Sequence, residues 1–138
     1  MAHAQVCTAA EAWLAAHWTH SEVPILAPNG DGGVPADGAA FLKIDYPWCR
    51  SAQKSIGAPG NNVHREEGVF RVLIFVPRGI GVDDGRAWSA EIEAMFRGQS
   101  LAEHLVCYSP STATDDQDTD GAYCVFAVAV EYRFDLFG

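Results

Sequence analysis

GVFRVLIFVPRGIGVDDGR, residues 68–86, reads as an apolar run, a burst of glycines and the opening of a helix. A strand feeding a glycine-rich turn feeding a helix is where nucleotide-binding enzymes hold phosphate. The spacing of Gly79, Gly81 and Gly85 misses both phosphate templates, however. A dinucleotide fingerprint needs G-x-G-x-x-G, and a P-loop needs G-x-x-x-x-G-K-[ST]. No lysine follows, and Asp83 and Asp84 stand where a phosphate would sit. Carboxylates there satisfy the helix N-terminus themselves and repel an incoming anion. The stretch therefore predicts a central strand over Val69–Val76, covered on much of both faces, then a glycine turn and an acid-capped helix.

Outward from this centre, Trp88, Ile92, Met95 and Phe96 fall on one helical stripe, with Arg86, Glu91, Glu93 and Arg97 largely outside and Gly98 as C-cap. His104–Tyr108 predicts a short strand, and Ser109–Gly121 a polar, acidic excursion. Tyr123–Phe134 alternates, with Cys124, Phe126, Val128, Val130, Tyr132 and Phe134 on one apolar face. Toward the N-terminus, Thr8-Ala9-Ala10-Glu11 has the form of a capping box, opening a helix that runs to about Thr19. Its expected core face is Trp13, Leu14, His17 and Trp18. Ile25-Leu26-Ala27 predicts a short strand, and residues 28–33 a turn. Phe41–Tyr46 alternates as a strand that Pro47 either stops or places at a sheet edge. Residues 48–64 then read as the longest irregular stretch, expected to order only on assembly. With neither repeats nor a linker, residues 1–138 predict one α+β domain: a mixed, mostly antiparallel sheet packed by two α-helices.

A chain of 138 residues buries roughly 68–70% of its unfolded surface, enough to fold without a disulfide or metal. The 18 acidic against 9 basic residues give a net charge of −9. Nucleic-acid affinity comes from cations neutralising phosphates, so a DNA- or RNA-binding module is disfavoured. The apolar run Val72–Pro77 is far too short to span a membrane. No basic n-region precedes Ala9–Leu14, so no signal peptide is expected, and a cytoplasmic location is. Cys7, Cys49, Cys107 and Cys124 are scattered and read as idle or buried thiols.

No catalytic constellation stands out, and neither a cofactor nor an enzymatic activity is expected. Asp116, Asp118 and Asp120, followed by Gly121, reproduce the first half of an EF-hand loop, but Ala127 occupies the position of the bidentate acid. They remain weak candidates for calcium. His17 and His20 have a spacing that can share a metal, without the further ligands zinc requires. Near a helix C-terminus such histidines commonly meet backbone carbonyls. Glu66 and Glu67 are adjacent, so on a strand they point to opposite faces. If the chain were instead a small enzyme or ligand-binding domain, His64, Cys49 and His104 would be the nominees for its pocket.

The order of segments resembles a known family. A short amphipathic helix leads to Val23-Pro24-Ile25-Leu26-Ala27-Pro28-Asn29, and a strand ends near Tyr46-Pro47-Trp48. After a loop comes Gly68–Pro77, then Gly79-Ile80-Gly81, a helix closing on Met95-Phe96-Arg97-Gly98, and the final strand Val128–Phe134. This is similar to the tail terminators of long-tailed bacteriophages and of phage-derived gene-transfer particles; the insert at 110–121 has no match in the pattern. The resemblance implies a structural protein that assembles in the host cytoplasm and resides in the tail-neck region of the particle. It implies a hexameric ring on the head-proximal end of the tail tube, which stops tube polymerisation and meets a head–tail connector or stopper protein. A head-completion or stopper protein of the same particle is the neighbouring alternative. The interface or bore residues expected on this view are Trp48, Arg50, Lys54, Arg65, Asp115, Asp116, Asp118 and Asp120. Acids lining the bore would let DNA pass without specific binding, because like charges repel.

Overall fold

A computed structural model describes residues 2–26, 38–79, 83–115 and 123–138. Its spine is the pair of strands with the strongest apolar patterning, β3 (Val63–Pro77) and β7 (Tyr123–Phe137). They run antiparallel over their whole length, from Val63 opposite Phe137 to Pro77 opposite Tyr123. On the other edge of β3 lies β2 (Phe41–Gln53), also antiparallel. The two-residue β1 (Ile25–Leu26) joins β2 in parallel, which makes the sheet mixed. The far edge of β7 carries β5 (Leu105–Cys107) and then β6 (Ser111–Asp115) in succession. A hairpin partner, β4 (Ser100–Ala102), lies outside β5. This is the expected α+β architecture of a mixed, mostly antiparallel sheet.

Two helices, α1 (Ala4–His17) and α2 (Asp83–Phe96), cover one face of the sheet. The even positions of β7 from Phe126 to Phe134 meet Phe70, Val72, Ile74 and Val76 of β3 and the buried helix residues in one core. Helix α1 contributes Val6, Ala10 and Leu14, three residues at i, i+4 and i+8. Helix α2 contributes Ile92 and Phe96 together with Gly85 and Ser89. Each fully buried Leu, Ile or Phe contributes about 1.5–3 kcal/mol, which outweighs the weak local preferences. The indole N–H of Trp13 donates to the Met95 carbonyl at 2.9 Å, tying the two helices together.

The glycines of residues 79–85 have separate structural uses. Gly79 has φ +90°, a conformation open to it because it lacks a Cβ, and turns the chain out of β3. Gly85 is buried in the first turn of α2, where any Cβ would collide with the Phe126 ring. Asp83 and Asp84 do stand in that first turn, while Gly81 lies outside the described residues. At the other end Gly98, with φ +64°, closes α2 as expected.

Several sequence expectations differ from the structure. Helix α1 begins at Ala4, with His3 as its N-cap, so Thr8 and Glu11 lie in mid-helix and form no capping box. Burying Val6 requires the earlier start, and a threonine inside a helix costs only about 0.7 kcal/mol or less. The core face of α1 is accordingly aliphatic; Trp13 is half-buried, His17 is exposed, and Trp18 lies just past the helix. Of the two expectations for Pro47 the edge position is the one observed, and β2 runs on through it to Gln53 rather than ending at Tyr46. Two residues, Tyr46 and Pro47, fall between the pairs Asp45–Arg71 and Trp48–Val69, a bulge. Among the described residues nothing pairs with the other side of β2 there, so the missing N–H costs no ladder bond.

The expected 48–64 loop therefore shrinks to residues 54–62, the tip of a β2–β3 hairpin. The Lys54 N–H donates to Val63 O at 2.7 Å, the Ser55 hydroxyl accepts from Val63 N at 2.8 Å, and Asn62 and Gly138 exchange backbone bonds at 3.2 and 3.0 Å. This bonding ties the base of the tip to the strands and to the C-terminus of the chain itself. Residues 111–115 of the expected acidic excursion are strand β6; residues 116–122 and the expected turn at 28–33 lie outside the described residues. Among the described residues no helix is long and apolar enough to cross a membrane.

Candidate assembly surfaces

Residues directly opposite one another in antiparallel strands share a face, so the registers show what the sheet presents away from the helices. At the Gly79 end this face is apolar: Phe41 stacks on Phe75 at 4.4 Å, and Tyr123 meets both edge-on, beside buried Leu73 and Val125. Toward the hairpin end it turns charged. One row reads Arg50, Glu67, Arg133, Val106, and the next reads Trp48, Val69, Glu131. The Tyr108 N–H donates to Glu131 O at 2.9 Å and places Tyr108 at the end of that second row.

Opposite charges meet across these strands. Arg65 grips Asp135 through Nε at 2.8 Å and Nη2 at 3.2 Å. Arg71 grips Asp45 through Nε at 3.0 Å and Nη2 at 2.6 Å. Such forked pairs are geometrically specific as well as strong. The hydrogen bond from Arg65 holds the Asp135 carboxyl below its ordinary range, and the same bond raises Arg65. Arg50 reaches Glu67 at 3.4 Å, a looser contact on a side chain 70% exposed. Arg133 has its Nε buried with no hydrogen-bond partner among the described residues.

The predicted surface residues fall on different parts of the molecule. Trp48, 52% exposed, and Arg50 lie on the outward face of β2; Arg65 lies on that of β3, already committed to Asp135. Lys54 is exposed at the hairpin tip. Asp115 closes β6 opposite Val125, and Asp116, Asp118 and Asp120 lie outside the described residues. Apart from Asp115, the calcium and bore expectations for that loop fall on residues outside the described ones.

The sequence patterning placed Glu67 only as facing away from Glu66, and did not single out Tyr108, Glu131, Arg133 and Asp135. The last three are the polar alternates of the final strand, a signal available in its period of two. It also passed over Ile56, which is 87% exposed at the hairpin tip. An isolated isoleucine in a Gly/Pro/Asn-rich loop was the available sign.

On the helix side, an open groove of about 650 Å³ runs between α1 and the β4–β5 turn. Its walls are Ala4, Thr8 and Ala12 of α1, Ala102–His104, and the Phe134–Phe137 end of β7. Beside it a buried carboxylate anchors the start of α1. Glu66 accepts from the Tyr132 hydroxyl at 2.7 Å and from the His3 N–H at 3.1 Å, all on one oxygen. Glu66 and Glu67 do point to opposite faces, the first buried and the second outward.

The nominees for a catalytic pocket are not brought together. Cys49 pairs with Gly68 and His64 with Gln53, about 13 Å apart along the strands. His104 sits in the β4–β5 turn against Phe137. His17 meets the Trp13 carbonyl at 2.9 Å, and His20 meets Glu91 at 2.8 Å and Glu22 at 3.4 Å. Among the described residues no three His, Cys, Asp or Glu side chains are grouped to hold a metal. The four cysteines are free thiols, and burial pushes that of Cys107 up to about 12.

The family model described as phage tail terminator protein matches residues 5–132. Twenty-eight chains of solved structures also match. One covers 99% of this chain and 99% of its own length, with a TM-score of 0.60 and 18% identity. At that identity the likeness is one of fold. No curated protein matches the sequence.

Proposed function

The chain belongs to the phage tail terminator family, and from that membership we propose that it is a structural, non-catalytic particle protein that ends the tail. As one domain of residues 1–138, it forms a ring, hexameric by family resemblance, on the head-proximal end of the tail tube. There it stops tube polymerisation and offers the opposite surface to the head–tail connector or stopper protein. DNA passes through the bore without specific binding. Assembly takes place in the host cytoplasm, and the mature location is the tail neck.

The family match over residues 5–132 carries this reading. Two features support it. Closing a ring requires two different surfaces on each copy, and the sheet has two unlike flanks, the β1–β2 side and the β4–β6 side. The net charge of −9 disfavours sticking to DNA.

The test is to delete the gene from a particle-producing host and measure tails in electron micrographs. Tails of uncontrolled length without heads are expected, with normal lengths restored by supplying the protein. Particles with normal, head-joined tails in the deletion strain would overturn the proposal.

A further inference from the structure

We propose that the groove between α1 and the β4–β5 turn receives the Ile56 hairpin of a second copy of this chain. Ile56 is 87% exposed, and it leads the apolar segment Ile56-Gly57-Ala58-Pro59. Leaving a side chain of that size in water forgoes most of the stabilisation its burial offers. Its own chain does not bury it. The Asn62–Gly138 and Lys54–Val63 backbone bonds fix the base of the tip while Ile56 stays in solvent. The groove has matching chemistry, with Ala4, Ala12, Ala102 and Phe137 among its walls.

The charges also correspond. Lys54 is the only charged residue between Gln53 and Val63, and it lies two positions from Ile56. The groove's rim carries Glu103, whose side chain is 89% exposed and meets His104 Nε2 at 3.4 Å, while its other acid, Asp135, is held by Arg65. An apolar tip beside one cation thus faces an apolar groove rimmed by one exposed anion.

Placement selects the mode of association. The hairpin tip and the groove both lie at the Phe137 end of β7, on opposite flanks of the sheet. A contact between them that repeats in the same sense from copy to copy is heterologous, and either closes into a ring or runs on as a filament. The inference rests on the ring reading above for closure.

The test uses the full chain in sedimentation velocity up to its solubility limit, with four single variants: Ile56→Asp, Ala12→Glu, Lys54→Glu and Glu103→Lys. All four positions are exposed, so folding should survive, and circular dichroism checks this. Wild type should assemble, and Ile56→Asp and Ala12→Glu should each weaken assembly about tenfold or more. Mixing those two should give dimers and nothing larger, because only one intact hairpin and one intact groove remain to meet. The Lys54→Glu/Glu103→Lys double variant should recover assembly that each single change weakens.

A wild type that stays monomeric throughout, an Ile56→Asp chain that assembles normally, or a charge swap that fails to recover assembly would overturn the contact. Tail length in particles separates this from tube termination. If Ile56→Asp assembles normally while deletion of the gene still gives overlong tails, the contact fails and the function stands. Normal tails in the deletion strain remove the function whatever the masses show.

Discussion

Replacing Gly85 with alanine sets two effects of opposite sign against each other. Gly85 is the third residue of α2, and by helix propensity alone the change should stabilise the chain by about 0.8–1 kcal/mol. The structure predicts the reverse. A Cβ at this position would run into the ring of Phe126, which is only 6% exposed and packed in the main core. The ring cannot swing away without displacing its neighbours, and overpacking of this kind costs about 1–3 kcal/mol. Set against the propensity gain, the net expectation is a loss of up to about 2 kcal/mol, or up to about 8 °C in Tm for a chain of this size.

Urea denaturation monitored by tryptophan fluorescence gives the free energy, and the Phe126→Leu background supplies the control. With the smaller side chain beneath it the added methyl should cost less, giving favourable coupling between the two changes. A Gly85→Ala chain at least as stable as wild type would refute the reasoning. It would mean that Gly85 belongs to the turn rather than to the contact between helix and sheet.

The Tyr132–Glu66 bond should contribute about 1.5–3 kcal/mol, as a hydrogen bond to a buried charged group does. Tyr132→Phe should lower stability by that amount, and adding Glu66→Leu should recover part of it in a double-mutant cycle. Recovery of nothing would locate the cost elsewhere. For pH, the Glu91 hydrogen bond raises His20 above 6.5, so its contribution is complete below about 6.5 and fades as pH rises through the raised value. The stability difference between wild type and His20→Gln should therefore shrink from pH 6 to pH 8; a difference growing with pH would reverse the assignment. Asp135 has the opposite sign, since Arg65 lowers it. Its contribution is present above about 3.8 and is lost as pH falls further, so Asp135→Asn should flatten the acid limb of unfolding. Neutralising Asp115, Asp116, Asp118 and Asp120 to asparagine should impair particle transfer if they line the bore; unchanged transfer efficiency would count against that role.

The two long strands were legible because burial on a sheet leaves a pattern. Val69–Val76 is nearly all apolar, and Tyr123–Phe134 alternates. The second half of β2 was hidden because a proline is compatible with either a strand end or a sheet edge, and only the bulge and the unpaired edge show which holds. Residues Trp48–Gln53 are also largely exposed, so they lack the apolar alternation that marks a half-buried strand. Strands β4 and β6 are too short to show a period, and β6 is polar along an exposed edge.

The charged outward face was illegible for a different reason. Arg65 and Asp135 are 70 residues apart, and only the register of β3 on β7 brings them together. The glycines after β3 carried the most misleading signal. Gly79 turns the chain and Gly85 admits Phe126, so a motif that looks like a phosphate cradle seats a helix on a sheet.

The most direct test of the proposed function is a reconstruction of the particle neck by electron cryomicroscopy, with this chain's fold placed in the density. The account predicts a closed ring of copies capping the head-proximal end of the tail tube, each hairpin tip at Ile56 seated in its neighbour's α1 groove. Density for the chain at the distal tip of the tail, or as a single copy off the tube axis, would contradict it.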